Sequence, residues 1–156
     1  MSIAATVQTR LSQAGVQYEI IEHPRTSNST HTAEAAHVPG ASLAKSVVLE
    51  DGEKYLLAVV PATHSVDIGA LYQRFGRVIG LASEEQIGRL FADCEPGAVP
   101  PFGQVYGIET ILDEAFVDAE DVYFEGGDHR ALVHVNGSDF LKLMHDTPRA
   151  RIRLHH

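Results

Sequence analysis

The chain has 156 residues, of which 44 % are hydrophobic, and it carries a formal net charge of −9 at pH 7. This length suits one domain with a real core, and we expect residues 1–156 to form a single domain. The negative charge argues against DNA as a partner, no apolar stretch is long enough for a membrane span, and the first ten residues lack a secretion signal, so the simplest expectation is a cytoplasmic protein.

The charges are unevenly distributed along the chain. Eight acidic residues and no Lys or Arg lie between Glu109 and Asp128, whereas residues 149–153 contain three arginines. Solvated surface is the first interpretation of both segments. The basic segment also allows a small contact with an RNA end.

The first third of the chain predicts two helices and one strand. Apolar residues recur at helical spacing from Ile3 to Leu11, and Val16 to Ile21 alternates as a strand does. A polar loop follows from residue 23 to 30. Thr32 then resembles the N-cap of a short helix that ends before Pro39.

The middle of the chain predicts a hairpin followed by two helices. Leu43–Leu49 and Tyr55–Val60 are rich in β-forming residues and flank an Asp51-Gly52 turn signal. Asp67–Phe75 has helical spacing, and Ser83 to Gln86 forms a capping-box pattern that opens a second helix.

The last third predicts four strands and a final helix. The strands are expected at Gln104–Tyr106, Ile111–Leu112, Val122–Phe124 and Ala131–Val135, and the helix begins after Asn136. Because strands and helices do not alternate steadily, we expect an α/β protein of the α+β type, with a mixed sheet and helices packed around it.

The sequence lacks the motifs of several common enzyme classes and binding sites. The sequence has no Gly-x-Ser-x-Gly elbow, phosphate loop or dinucleotide fingerprint. Nine histidines show no metal-ligand spacing, and His129 and His134 are expected to face opposite sides of a strand, so we expect no metal. The single cysteine, Cys94, excludes an internal disulfide and is best read as a small buried side chain.

Two features remain that suggest chemistry. Lys45 lies inside an otherwise apolar strand, where an ammonium needs a partner or a purpose, although it can also extend to water at a strand edge. The run from Gly97 to Gly103 contains two glycines and two prolines, and must be a stiff loop. Such a loop is either a structural crossover or a fixed array of backbone donors.

Three segments in register resemble the YbaK / prolyl-tRNA synthetase-associated domain family of aminoacyl-tRNA editing proteins. They are Ala44–Leu49, Gly97–Gly103 and the late segment Gly126–Arg130. The resemblance spans about Ala5 to Met144. It implies a deacylase that hydrolyses the ester between a wrong amino acid and a tRNA 3′ end, with no cofactor. It also implies a roughly barrel-like mixed sheet flanked by helices.

The resemblance also assigns roles to individual residues. Lys45 corresponds to the family's near-invariant lysine, and Gly97, Ala98 and Val99 are the candidate catalytic backbone donors. The candidate residues for substrate binding are Thr30, His31, Ser46, Pro100, Pro101, Phe102 and His129. The role of His129 varies within the family. Pro100 departs from the family pattern and is expected to stiffen the loop.

The implied chemistry is simple because an aminoacyl ester is already activated. A backbone donor can hold the developing oxyanion, and the substrate's own 2′-hydroxyl can activate the attacking water. Lys45 is expected to bind the terminal phosphate or the ester carbonyl. Two alternatives stay open: a noncatalytic module that binds a tRNA end or a synthetase, and a hydrolase of small esters.

Overall fold

The computed structural model describes residues 3–26 and 28–154. In chain order, the elements are α1 (Ala5–Ala14), β1 (Glu19–Glu22), α2 (Ser29–Ala36), β2 (Leu43–Glu50), β3 (Tyr55–Pro61), α3 (Ile68–Phe75), β4 (Gly80–Leu81), α4 (Glu84–Leu90), β5 (Glu109–Asp113), β6 (Asp121–Glu125), β7 (Ala131–Asn136), α5 (Gly137–Leu143) and β8 (Arg149–Ala150). Short 3₁₀ turns cover Gly40–Ser42, Gly103–Tyr106 and Glu114–Phe116. No helix in this part of the chain is long and apolar enough to cross a membrane.

The strands form one mixed sheet in the order β1-β7-β6-β2-β3-β5-β8, and β4 pairs with β2 outside this path. Pairing is parallel between β2 and β6, β3 and β5, and β5 and β8, and antiparallel elsewhere. The predicted mixed α/β architecture is therefore confirmed. The sheet ends at β1 and β8, which do not pair with each other in the described structure. The sheet is therefore open, and the barrel-like closure that the resemblance implied is wrong.

The pairing of β2 leaves an opening in the middle of the sheet. One edge of β2 pairs with β3 from Ala44 to Glu50. The other edge pairs only at its ends, with β6 at residues 43–44 and with β4 at residues 49–50. The Ala82 amide extends the second contact by donating to the Val48 carbonyl. Between these contacts no described strand covers β2.

The sheet is packed on both faces. Along β3, Leu57 and Val59 join the larger core with α1 and α5, whereas Leu56 and Val60 join a second core against Leu71 of α3. A strand buried on both faces is expected to be a continuous apolar run, as β3 is. The central strands are thus held rigidly around the opening.

Most predicted elements lie within a few residues of the observed ones, and three differences have clear causes. Asn28, not Thr32, caps α2, and Thr32 is fully buried inside the helix. Gln104–Tyr106 is wrong as a strand, because the chain there turns as a 3₁₀ helix that Gly107 ends in a left-handed conformation. The two-residue strands β4 and β8 were not predicted, because so short a segment shows no periodicity.

Gly103 closes the Gly/Pro loop where no larger residue fits. A Cβ at this position would lie 2.0 Å from Thr110 Oγ1 and 2.8 Å from the Ile108 carbonyl oxygen. We therefore expect Gly103→Ala to lower the free energy of unfolding by about 1–3 kcal/mol or more. Urea unfolding measures this. Gly88→Ala is the control, because its Cβ would meet only Pro96 at 3.9 Å and alanine favours the α4 helix. Equal stability of both variants would contradict the packing argument.

Candidate active site

A cavity of about 470 Å³ lies against the open stretch of β2. Its walls come from the start of α2, from β2 itself, from the segment after β3, from β4 and α4, and from the Gly/Pro loop. The lining residues are Asn28, Ser29, Thr30, His31, Lys45, Ser46, Val47, Val48, Ala62, Leu81, Ala82, Ile87 and Gly97. Lys45 and Gly97, which are 52 residues apart in sequence, therefore face one cavity, together with Thr30, His31 and Ser46.

Lys45 brings a cation to this cavity. Its Nζ donates a hydrogen bond to the His64 carbonyl oxygen at 2.6 Å, and its side chain is half-buried. Burial lowers the pKa of the ammonium. In the part of the chain that the structure describes, no carboxylate forms an ion pair with it. The ammonium keeps donors for an anionic or carbonyl group of a ligand.

The Gly/Pro loop reaches the cavity only at Gly97. This residue has φ +89°, a conformation that favours glycine, and no hydrogen bond of its amide is found in the described structure. The Ala98 amide donates to the Glu95 carbonyl at 3.0 Å, so it is not free to bind a substrate. The side chains of Val99 and Phe102 are buried, and Phe102 packs edge-on against Phe124 in the core.

The remaining loop residues, Pro100 and Pro101, are also buried and do not line the cavity. They have no amide hydrogen to offer. The structure thus brings together one of the three predicted backbone donors, Gly97, with Lys45. The other loop residues hold its position.

His129 lies behind the loop rather than in the cavity. Its Nε2 donates to the Pro96 carbonyl oxygen at 3.0 Å, because a carbonyl can only accept. A Cβ on Gly97 would lie 3.2 Å from His129 Cε1. Arg25 also pairs with Glu95 at the base of the same loop. His129 and this ion pair therefore fix the position of Gly97.

The start of α2 places Thr30 and His31 at the cavity. Asn28 caps the helix by accepting a hydrogen bond from the His31 amide at 2.9 Å, and its side-chain amide lies 3.2 Å from His31 Nδ1. Asn28 itself lines the cavity and was missed from the sequence. The sequence did contain a signal for the start of α2 at Asn28, because asparagine is a preferred N-cap residue.

Ser46 lies in the middle of the open stretch of β2. Its hydroxyl oxygen is buried and has no hydrogen-bond partner in the described structure. A buried polar atom without a partner is costly unless a ligand or water satisfies it. Ser46 also lines the cavity, and its hydroxyl is a candidate partner for a polar group there.

Cys94 is not suited to act as a nucleophile. Burial raises the pKa of its thiol to about 12, and the neighbouring Asp93 carboxylate adds to this effect. Because a thiolate is the reactive form, the thiol stays inert.

Glu125 is a buried carboxyl group that the sequence did not single out. It lies at the end of β6, is 5 % exposed, and neither oxygen has a hydrogen-bond partner in the described structure. Burial raises its pKa to about 8, an effect that the nearby Thr32 side chain only partly offsets. The group is therefore largely protonated at neutral pH.

This raised pKa predicts a pH-dependent stability. Between about 4.5, the ordinary pKa, and about 8, the folded protein keeps a proton that the unfolded chain has lost. Stability should therefore fall as the pH rises through this window, by up to about 1.4 kcal/mol per pH unit. Glu125→Gln should remove most of this fall and raise Tm at pH 8, measured by thermal unfolding between pH 5 and 8.5. Glu120→Gln, at an exposed position, is the control, and matching curves for both variants would refute the assignment.

Comparison with known proteins identifies the family of the chain. Residues 23–143 match the model of the aminoacyl-tRNA editing domain family, which covers most of the chain, and the chain belongs to this family. No curated protein matches it.

Three solved structures share its fold. One, described as "a putative trans-editing enzyme for prolyl tRNA synthetase", is 25 % identical, with a TM-score of 0.81 and 96 % of each chain covered. A hypothetical protein is 18 % identical with a TM-score of 0.84, covering 96 % of this chain and 99 % of its own. A scaffold protein from epitope grafting by computational design is 24 % identical with a TM-score of 0.83, covering 97 % of each chain.

Proposed function

We propose that this protein hydrolyses the ester bond between a wrongly attached amino acid and the 3′-terminal ribose of a tRNA. The observation that carries the proposal is that one cavity is lined by both Lys45, a half-buried cation, and Gly97, whose amide has no hydrogen bond in the described structure. Membership of the editing family supports the same reaction. The structural neighbour named as a trans-editing enzyme favours action as a protein separate from a synthetase, in the cytoplasm where charged tRNA is used.

The proposed reaction uses water and needs no covalent intermediate. A water molecule attacks the ester carbonyl carbon, and the Gly97 amide donates a hydrogen bond to the oxyanion that forms. The tetrahedral intermediate then expels the ribose oxygen, which takes a proton, and releases the free amino acid and the tRNA. One such donor contributes roughly 10²–10³ in rate. The neighbouring ribose hydroxyl of the substrate passes a proton from the attacking water to the leaving ribose oxygen, so that no proton is gained or lost overall.

Lys45 orients the substrate in this proposal. Its ammonium binds the terminal phosphate or the ester carbonyl, and it repels the protonated amine of the amino acid. The amine is therefore directed away from Lys45, toward other lining residues such as Thr30, whose side chain carries a hydroxyl group. The cavity lies within the size range of ordinary ligand sites.

A deacylation panel tests the proposal. Purified protein is incubated with tRNAs carrying different wrong amino acids, and loss of the ester is followed by acid precipitation. Mischarged tRNAPro is tested first, because the structural neighbour is named for prolyl-tRNA synthetase. We expect hydrolysis of at least one mischarged tRNA above the rate without protein.

Two other outcomes would favour the alternatives. Absence of hydrolysis across the panel, together with capture of tRNA or a synthetase, would indicate a binding module. Equal turnover of free aminoacyl esters and aminoacyl-tRNA would indicate a hydrolase of small esters. The net charge of −9 predicts weak RNA binding in either case, because few phosphates can be neutralised.

A further inference from the structure

His134 lies near the middle of β7 and forms hydrogen bonds to the strands on both sides. Its Nδ1 donates to a carboxylate oxygen of Glu19 in β1 at 2.5 Å, and its Nε2 donates to one of Asp121 in β6 at 2.8 Å. Both ring nitrogens must donate, because an ionised carboxylate can only accept. The ring is therefore an imidazolium that joins β1, β7 and β6.

The groups around His134 favour this positive charge. Glu19 faces it from β1 and Asp121 from β6, while Tyr123 of β6 stacks on the ring with centroids 4.5 Å apart. A cavity of about 270 Å³ beside the ring is also lined by Tyr18, and among the described residues no Lys or Arg lines it. Partial burial lowers the pKa of His134, but the hydrogen bonds to Asp121 and Glu19 outweigh it, and the pKa is raised.

The strand β1 depends on side-chain contacts of this kind. It has four residues, Glu19–Glu22, none of them fully buried, and β7 is its only partner among the described strands. Cross-strand side-chain pairs therefore contribute to what holds it. A neutral imidazole has one N–H, so loss of the His134 proton removes the hydrogen bond to Glu19 or the one to Asp121. Either loss breaks the link from β1 to β6, and the remaining bond loses its cationic donor.

The position of β1 bears on the candidate active site through two contacts with α2. Along the chain, β1 is followed by Thr26, whose hydroxyl forms a hydrogen bond with that of Thr32 in α2. Across the sheet, Ile21 of β1 and Tyr123 pack against a buried cluster that includes Ala33 of α2. The first turn of α2 lines the larger cavity. A change at β1 is therefore transmitted to one wall of that cavity.

We propose that His134 is a pH-sensitive clamp, which in its charged form holds β1 to the sheet and keeps α2 in place at the candidate active site. The clamp is complete below about pH 6.5, the ordinary pKa of histidine, and is lost as the pH rises through the higher pKa of the folded protein. It acts whichever reaction the cavity performs, because His134 lines a different cavity and touches no substrate there.

Hydrogen exchange of the full chain, with and without His134→Gln, tests the clamp. Protection factors of the Ile21 and His23 amides are measured from pH 6 to pH 8.5 and compared as wild type over variant, which cancels the general effect of pH on exchange. We expect this ratio to fall about three- to fivefold over the range, because a partly exposed ion pair contributes modestly and glutamine does not titrate. His145→Gln is the control, since this exposed histidine forms its ion pair with the adjacent Asp146, and its ratio should stay constant.

The Thr32 amide reports on the link to the candidate active site, because it donates to the Asn28 carbonyl in the first turn of α2. Its ratio should fall in the same direction as that of β1. A constant ratio at β1, an equal fall in His145→Gln, or a fall at β1 with no change at Thr32 would overturn the proposal.

NMR of the histidine rings in the wild type tests the charged state directly. Both nitrogens of His134 should carry protons at pH 6, and the titration midpoint should lie above the ordinary value of 6.5. Asp121→Asn removes one of the two carboxylate charges and should lower the midpoint. A wild-type midpoint at or below 6.5, or an unchanged midpoint in Asp121→Asn, would overturn the assignment of His134 as the clamp.

Discussion

Lys45→Ala should lower kcat/KM for deacylation of a mischarged tRNA by about 10²-fold, because its ammonium orients the ester and a misplacement of about 1 Å at the reacting atoms costs roughly this much. Among the described residues, Lys45 is the only lysine that lines the cavity, and its ammonium has no ion-pair partner there that would indicate a structural role. The measurement is initial-rate deacylation with wild type and variant at equal concentration.

Thermal unfolding of Lys45 variants distinguishes a role in the reaction from a role in folding stability. Because burial lowers the pKa of its ammonium, the charge is poorly solvated, and its removal should cost little folding free energy. Lys45→Met keeps most of the apolar stem and should lose as much activity as Lys45→Ala while unfolding at or above the wild-type Tm. Lys54→Ala, at an exposed hairpin lysine, is the control. A Lys45→Ala protein with the wild-type rate on every cleaved substrate would refute the assignment.

Asp113→Ala should lower the free energy of unfolding by about 3–5 kcal/mol, the usual cost of removing one partner of a buried ion pair. Asp113 is fully buried at the end of β5. One oxygen accepts hydrogen bonds from the amides of Ile152 and Arg153, and the other accepts from the Ala115 amide and from the Arg153 guanidinium at 2.6 Å. Its loss leaves these donors without their acceptor.

Thermal unfolding measures this effect, and a decrease in Tm on the order of 10 °C is expected for a chain of this length. Asp118→Ala, which changes an exposed aspartate, is the control and should leave Tm nearly unchanged. Arg153→Ala should cost less than Asp113→Ala, because three backbone donors would still solvate the carboxylate. Similar Tm values for Asp113→Ala and Asp118→Ala would contradict the role of the buried carboxylate.

Local signals in the sequence predicted most of the regular structure. The Asp51-Gly52 turn, the Ser83 capping box and the Asn136 helix start all lie where they were expected. Each depends on residues close in sequence, whose preferences act before any tertiary contact forms. The 3₁₀ turn at Gln104–Tyr106 was mispredicted because the neighbouring Gly103 and Gly107 determine it together with Thr110, a tertiary contact.

The candidate site was only partly predictable, because it also depends on tertiary contacts that no local sequence signal shows. Lys45 and Gly97 were identified because a cation in an apolar strand and a glycine in a stiff loop are locally unusual. Asn28 was hidden within a polar loop, and Glu125 within an acidic run that was interpreted as surface. The Ala98 amide is not available to a ligand, because it donates to the Glu95 carbonyl. No residue pattern in the sequence predicts that hydrogen bond.

The interrupted pairing of β2 has a consequence for how specificity can evolve in this fold. Between residues 45 and 47, one edge of β2 has no strand partner in the described structure, and these three residues line the cavity. Main-chain groups along that edge are present whatever the side chains are. Substitutions in α2, β4 and α4 can reshape the walls without altering that edge. Related chains can thereby change which ligand fits the cavity while the backbone of β2 stays the same.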